Sequence, residues 1–368
     1  MEELHGIRTI KIKTRRKPWA LFAVVVVALV ALSSWLFYLI ITNQLGHRDV
    51  VANVNEQTET ATTTAPALVP RHLDGVLVTS GEEAFAPRAV MVDNQIDARP
   101  AAGISQANLA IEAPVEGGIT RFMLFFDATT TLDEVGAVRS ARPYFVEWAQ
   151  AWHAVYFHVG GSPEALERLK TIQGTTILNV DEMAHGSDFW RAQDRIAPHN
   201  TLTRKDLMDS AVSDGGWATS TLPETWRFTD AATTTERGPD GDLVKVPYGY
   251  SYSVSWKFDQ ASDEYIRMQS GKTQLDRSNS LRVAADNVVV IKTDAQVLDS
   301  VGRLKLRTTG SGDAYIYRDG KKYITRWHRS PGEMMTFAGT DGVDVPLNRG
   351  KTWIEVTTDD RVFAGLAK

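Results

Sequence analysis

Arg139 and Arg142 lie three positions apart with Ser140 between them, just ahead of Pro143, a residue suited to the first turn of a helix. Guanidinium forks beside the free backbone N–H groups of a helix start suit a carboxylate or a phosphate. Glu116 and Arg121 flank Gly117-Gly118; His158 and the run Gly160-Gly161-Ser162-Pro163-Glu164 follow, and His199-Asn200 comes later. Most of these groups sit at the end of a strand-like run, so a cleft beyond the strand ends would gather them. The expected ligand-binding set is Glu116, Arg121, Arg139, Ser140, Arg142, His158, Ser162 and His199, with the arginines as anion contacts.

Each of these residues also has a purely structural reading. The arginines could pair with Glu112, Glu116 or Glu147, and Glu116 with Arg121. Ser162 is placed to cap the helix opening at Pro163. The glycine run is not a phosphate loop, because the Walker lysine is missing, and G-G-S-P-E is not a nucleophile elbow. His158 and His199, with His185 and Asp188, could act as bases or metal ligands, but the spacing matches no metal signature such as H-E-x-x-H. Neither a metal nor a cofactor is expected, and no catalytic residue is assigned. An envelope hydrolase working through Glu116, His158 or His199 is the alternative to a binding module. Trp327-His328-Arg329 is either a recognition edge or a core tryptophan with polar neighbours.

The elements that would position these residues alternate over 73–220. Strands are expected at Ala89–Val92, Leu109–Ala113, Thr120–Phe126, Ala154–Val159 and Thr176–Val180. Helices are expected at Pro143–Trp152, Pro163–Lys170 and Leu202–Val212. A polar, turn-rich stretch at 221–245 reads as an interdomain loop. From 246 to 362 the period is mainly two: Tyr250–Phe258, Glu264–Gln269, Asn287–Lys292, Ala314–Arg318 and Lys321–Trp327 across Asp319-Gly320, Glu333–Phe337 and Thr352–Thr357. The expected fold class is α+β: an α/β domain followed by a mostly β domain.

Hydrophobic residues make up 43% and charged residues 23%, enough apolar surface for a folded body. The net charge of -5 conceals an asymmetry, since the first eighteen residues hold six Lys/Arg and the remainder 34 basic against 43 acidic residues. A body with an acidic excess is a poor binder of phosphate backbones, so no nucleic acid is expected as a partner. There is no cysteine, which excludes disulfides, thiolate catalysis, thiolate zinc sites and lipid attachment through a thioether.

Residues 19–41, WALFAVVVVALVALSSWLFYLII, run without a charge for long enough to span a hydrocarbon core of about 30 Å. The bulky far end, with Trp35, Phe37 and Tyr38, argues for a retained anchor over a cleaved signal. The basic tail at 1–18 sets the N-terminus in the cytoplasm and the bulk outside, in the cell membrane by a single pass. Residues 42–72, rich in Thr, Ala, Asn and Pro, have the composition of a flexible tether. The expected partners are the membrane, through the N-terminal helix, and a cell-wall or other anionic ligand or an exported protein.

The run AVMVDNQIDARPAAGISQANLAIEAPVEGGITRFMLFFD, continued by VGAVRSARPYFVEWAQAWHAVYFHVGGSPEAL, resembles the N-terminal domain of the YerB-like proteins. NVVVIKT, GSGDAYIYRDGKKYITRWHRS and LNRGKTWIEV resemble the C-terminal domain of the same family. The resemblance implies a two-part domain of unknown function on a bacterial envelope protein. Members are typically lipoproteins held by a lipidated cysteine, and this chain departs from them in having none.

Overall fold

In a computed structural model of the chain, the structure describes residues 32–35, 67–217, 226–239 and 243–358. Residues 64–368 form one compact unit. The basic tail and most of the segment expected to cross a membrane lie outside the described residues; 32–35 are helical. Among the described residues no helix is long and apolar enough to cross a membrane.

This compact unit is mixed α+β and rich in strands. Its spine is a ten-stranded sheet built from β1 (Arg88–Asp93), β2 (Leu109–Pro114), β3 (Thr120–Phe126), β4 (Val155–His158), β5 (Leu178–Asp181), β6 (Asn287–Lys292), β7 (Gly310–Arg318), β8 (Lys321–Arg329), β9 (Thr336–Gly339) and β10 (Thr352–Thr357), in the order β9-β8-β7-β6-β10-β2-β3-β1-β4-β5. From β6 to β5 every strand is parallel to the others except β3, which runs antiparallel between β2 and β1. Runs such as RAVMVD, TRFMLFF and NVVVIK are buried along their whole length or nearly so. Both faces of the sheet's central strands are therefore covered, the usual condition of parallel strands.

One face carries α1 (Pro143–Ala151) and α2 (Pro163–Ile172), whose Phe145, Trp148 and Leu169 pack with Met91, Phe125, Ile316 and Ile354. The other carries α3 (Lys205–Asp214) and a second, antiparallel sheet of Leu243–Pro247, Ser253–Asp259, Glu264–Gln269, Lys272–Thr273 and Ala284–Ala285. There Trp256, Phe258 and Met208 join Phe122, Leu124, Val288 and Trp353.

Three expectations need correcting. The third helix begins at Lys205, not Leu202, because Thr201–Thr203 is a strand paired with Val135–Gly136 and Trp190–Arg191. The stretch 42–72 is not tether to its end: Leu68–Pro70 pairs with Leu77–Thr79. The 221–245 stretch is more than a loop. Trp226 is 7% exposed, stacks edge-on against Trp152 at 5.2 Å and donates Nε1–H to the Met335 carbonyl, and Phe228–Thr229 pairs with Leu347–Asn348. The stretches 73–220 and 246–362 contribute strands to a single sheet, joined where β10 meets β2.

At that junction two fully buried carboxylates lie side by side, Glu355 of β10 in register with Glu112 of β2. Arg267, equally buried, reaches across from the second sheet to pair with Glu112, its Nε 3.9 Å from Glu355. Trp256 Nε1 and the Tyr248 hydroxyl each donate to Glu355 at 2.8 Å, while Asn94 and Thr120 donate to Glu112.

Candidate functional site

The carboxyl ends of β1, β2 and β4 and the start of β3 lie at one end of the sheet, the end where open α/β sheets place ligands. Asp93 closes β1 and is in register with Arg121 of β3. Beyond Gly136 the chain runs alongside β1, with Arg139 N–H bonded to the Met91 carbonyl. It then turns to follow the extension of β4, where Ala141 N–H meets the Gly160 carbonyl and Ser162 N–H the Ala141 carbonyl. This double pairing delivers Arg139, Ser140 and Arg142 to the mouth of the sheet. Pro143 then starts α1, with Arg142 as an N-cap that makes no side-chain cap bond.

Arg142 grips Glu116 with both arms, Nε to Oε1 at 2.6 Å and Nη2 to Oε2 at 2.8 Å. Burial works to raise the Glu116 pKa, but the Arg142 fork and its charge outweigh it and hold the carboxyl below the usual range. A carboxylate kept ionised in this way is a poor proton donor near neutral pH. Arg139 Nε lies 3.0 Å from Asp93 Oδ2, and His199 Nδ1 lies 2.8 Å from the same oxygen. An imidazole steadied by a carboxylate is the arrangement of a general base and its orienting acid.

Arg121 differs from both. It is 5% exposed, donates Nη1–H to the Ser140 carbonyl at 2.7 Å, and has no hydrogen-bond partner at Nε. Among the described residues no carboxylate stands within 4.0 Å of its guanidinium, since Asp93 and Glu116 are bound by Arg139 and Arg142. Burial, and the charges of Arg142 and Arg139 against the opposing pull of Asp93, depress its pKa to about 10. Near it the Tyr156 hydroxyl of β4 is also buried and without a partner, its pKa pushed up by burial while Arg121 and Arg142 pull it down. Tyr144 of α1 donates its hydroxyl to the Pro114 carbonyl at 2.9 Å. Three guanidiniums thus face two carboxylates, an excess of one positive charge with donors to spare.

Of the expected set, Glu116, Arg121, Arg139, Ser140 and Arg142 come together, Ser140 through its carbonyl, and His199 joins them through Asp93. His158 is fully buried, with Nδ1 2.8 Å from the Gly160 carbonyl oxygen and Nε2 2.6 Å from Asn179 Oδ1. Ser162 caps α2, accepting from Ala165 N–H at 3.4 Å. His185 and Asp188 pair with each other at 3.7 Å outside the arginine cluster, and the described residues contain no group of three or more metal-ligating side chains. Trp327 is fully buried, whereas His328 is exposed. Sequence reasoning missed Asp93, Tyr144 and Tyr156. Asp93 had a signal, an acid closing an apolar strand; Tyr156, inside a strand, had none.

The chain matches the N-terminal domain of the family described as protein of unknown function (DUF3048) over residues 73–218, and its C-terminal domain over 244–354. The predicted lipoprotein YerB of Bacillus subtilis (strain 168) is 31% identical over 278 residues, 74% of this chain and 81% of that protein. A crystal structure of YerB from the same organism is similar with a TM-score of 0.69 at 28% identity, covering 81% of this chain and 98% of the solved one.

Proposed function

This chain belongs to the DUF3048 family, whose function is unknown, and on that premise we propose that it is an envelope-facing binding module whose ligand is an anion held by Arg121, Arg139 and Arg142. One observation carries the reading: Arg121 is buried at the carboxyl ends of the strands without a carboxylate partner and with Nε unbonded. A buried cation left in that state costs several kcal/mol, and an anion bound beside it would relieve that cost. The unpartnered Tyr156 hydroxyl adds a neutral donor to the same environment.

Two observations support an envelope location, the uncharged segment at 19–41 beside a basic tail and the lipoprotein name of the relative. A membrane helix would then do here what a lipid does there, leaving the folded body on the outer side and within reach of wall fragments or exported proteins. The body is taken to fold by itself, since the solved relative corresponds to four-fifths of this chain.

Residues 64–368 heated in phosphate and in chloride at matched ionic strength provide the test. Phosphate at a hundredfold excess over its Kd should stabilise the protein by about 2.7 kcal/mol, and Arg139→Gln should abolish most of that gain. Equal melting temperatures in the two salts, or an undiminished gain in the variant, would remove the reading. The Asp93–His199 pair supports a second reading, hydrolysis of an anionic wall ester with His199 as base. Release of product from labelled wall material, lost in His199→Gln, would favour it over simple binding.

A further inference from the structure

A groove of about 660 Å³ lies beside the arginine cluster, and the site as described makes no use of it. Its walls are the start of α1 (Pro143, Tyr144, Glu147), Glu164 of α2, and the hairpin whose strands are Ala295–Val297 and Leu304–Leu306. Leu298, Leu304 and Leu306 face it, and the tip of the hairpin leaves Val297, Leu298 and Val301 between 45% and 70% exposed.

The lining charges are largely neutralised within the protein. Arg307 holds Asp294 at 2.6 Å, Arg168 holds Glu147 at 3.2 Å, and Arg303 reaches Glu164 at 3.5 Å. What remains is an apolar channel of the size that takes a small ligand, with the exposed cation Lys305 on its lining. It starts at the end of α1 that Arg142 caps. Pro143 follows Arg142 directly, the Tyr144 hydroxyl feels the charges of Arg121, Arg142 and Glu116, and Arg303 on the hairpin feels that of Glu116.

We infer that the groove receives the apolar chain of an amphiphilic anion whose head, a phosphate or carboxylate, reaches the Arg121–Arg139–Arg142 cluster. The inference rests on the proposed anion site and adds a ligand class to it: a single-chain molecule charged at one end and uncharged along its body. Each methylene removed from water adds to affinity in a groove whose carboxylates are already paired, whereas a positive charge along the body would be desolvated without a partner.

Calorimetric titration of residues 64–368 with octyl phosphate, inorganic phosphate and octanol, all below any micelle concentration, separates the two claims. Octyl phosphate is expected to bind at least tenfold more tightly than inorganic phosphate, and octanol weakly. Leu298→Glu, at a wall position 45% exposed, should erase the alkyl advantage and leave inorganic phosphate binding unchanged. Arg139→Gln should weaken both phosphates. Equal affinity for octyl and inorganic phosphate, or an advantage that survives Leu298→Glu, overturns the groove inference while leaving the anion site intact. Octanol binding as tightly as octyl phosphate, with no inorganic phosphate bound, overturns both.

Discussion

Arg267 and Arg121 are both buried guanidiniums, yet their surroundings differ in kind. Arg267 pairs with Glu112, lies near Glu355 and has the rings of Phe122, Trp256 and Trp353 within 5.8 Å. Removing it would strand two buried carboxyl groups, so Arg267→Met should destabilise by about 3–5 kcal/mol in urea titrations. Arg121 satisfies no carboxylate, so Arg121→Met should raise stability without ligand, or at most cost about 1 kcal/mol for the lost bond to the Ser140 carbonyl, while abolishing anion binding. A loss as large as that of Arg267→Met would show that Arg121 is a strut. Burial, and then the Glu112 charge, push the Glu355 pKa well above its usual value. A carboxyl raised in the folded state stabilises most below its unfolded pKa, about 4.3, and that contribution is lost as pH rises through the folded value. Glu355→Gln, which keeps an acceptor for Trp256, should flatten the decline in stability measured from pH 5 upward; an unchanged slope would assign the decline elsewhere.

At the scale of elements, the strands before residue 220 were read from nearly unbroken apolar runs and most of those after 245 from their alternation, and α1 and α2 from the prolines that mark their starts. The strand Thr201–Thr203 ahead of α3 was hidden, since three residues give no period and only pairing with distant strands fixes them. Trp226 was concealed by the polar residues around it. The joint between β6 and β10 offers a test at this scale. Asp286 accepts the Lys351 N–H at 2.6 Å, and burial raises its pKa to about 6 despite that bond. Its contribution is full below about pH 4 and disappears as pH passes about 6, a change of up to about 3 kcal/mol. Asp286→Asn should flatten stability across that window, read by urea midpoints at pH 4.5 and 7.5. Gly350, at φ +128°, leaves a Cβ only 2.2 Å from Asp286 Oδ2, so Gly350→Ala should cost more than about 1 kcal/mol at either pH.

In the whole molecule the sheet runs from β9 to β5 without a break, and β10, the last strand in sequence among the described residues, lies between β6 and β2 in its middle. The change from a mixed to a period-two pattern near residue 245 was visible in the sequence. The insertion of β10 beside β2 was not, because nothing local encodes a pairing across about 240 residues. Residues 67–220 expressed alone should therefore lack a cooperative thermal transition, since β2 loses its neighbour and Glu112 loses Arg267. The anion site was half legible: its arginines stand in the sequence, but the carboxylates that leave Arg121 alone among them, Asp93 and Glu116, are brought in by the end of β1 and the turn between β2 and β3. The most direct test of that site is the Arg121 Nε–Hε signal in a nitrogen–proton NMR spectrum of residues 64–368, assigned by its loss in Arg121→Lys. On titration with phosphate at constant ionic strength, the account predicts a saturable downfield shift of that signal, with the Arg267 Nε–Hε signal unmoved. A signal that stays in place through saturating phosphate, or moves equally in chloride, contradicts it.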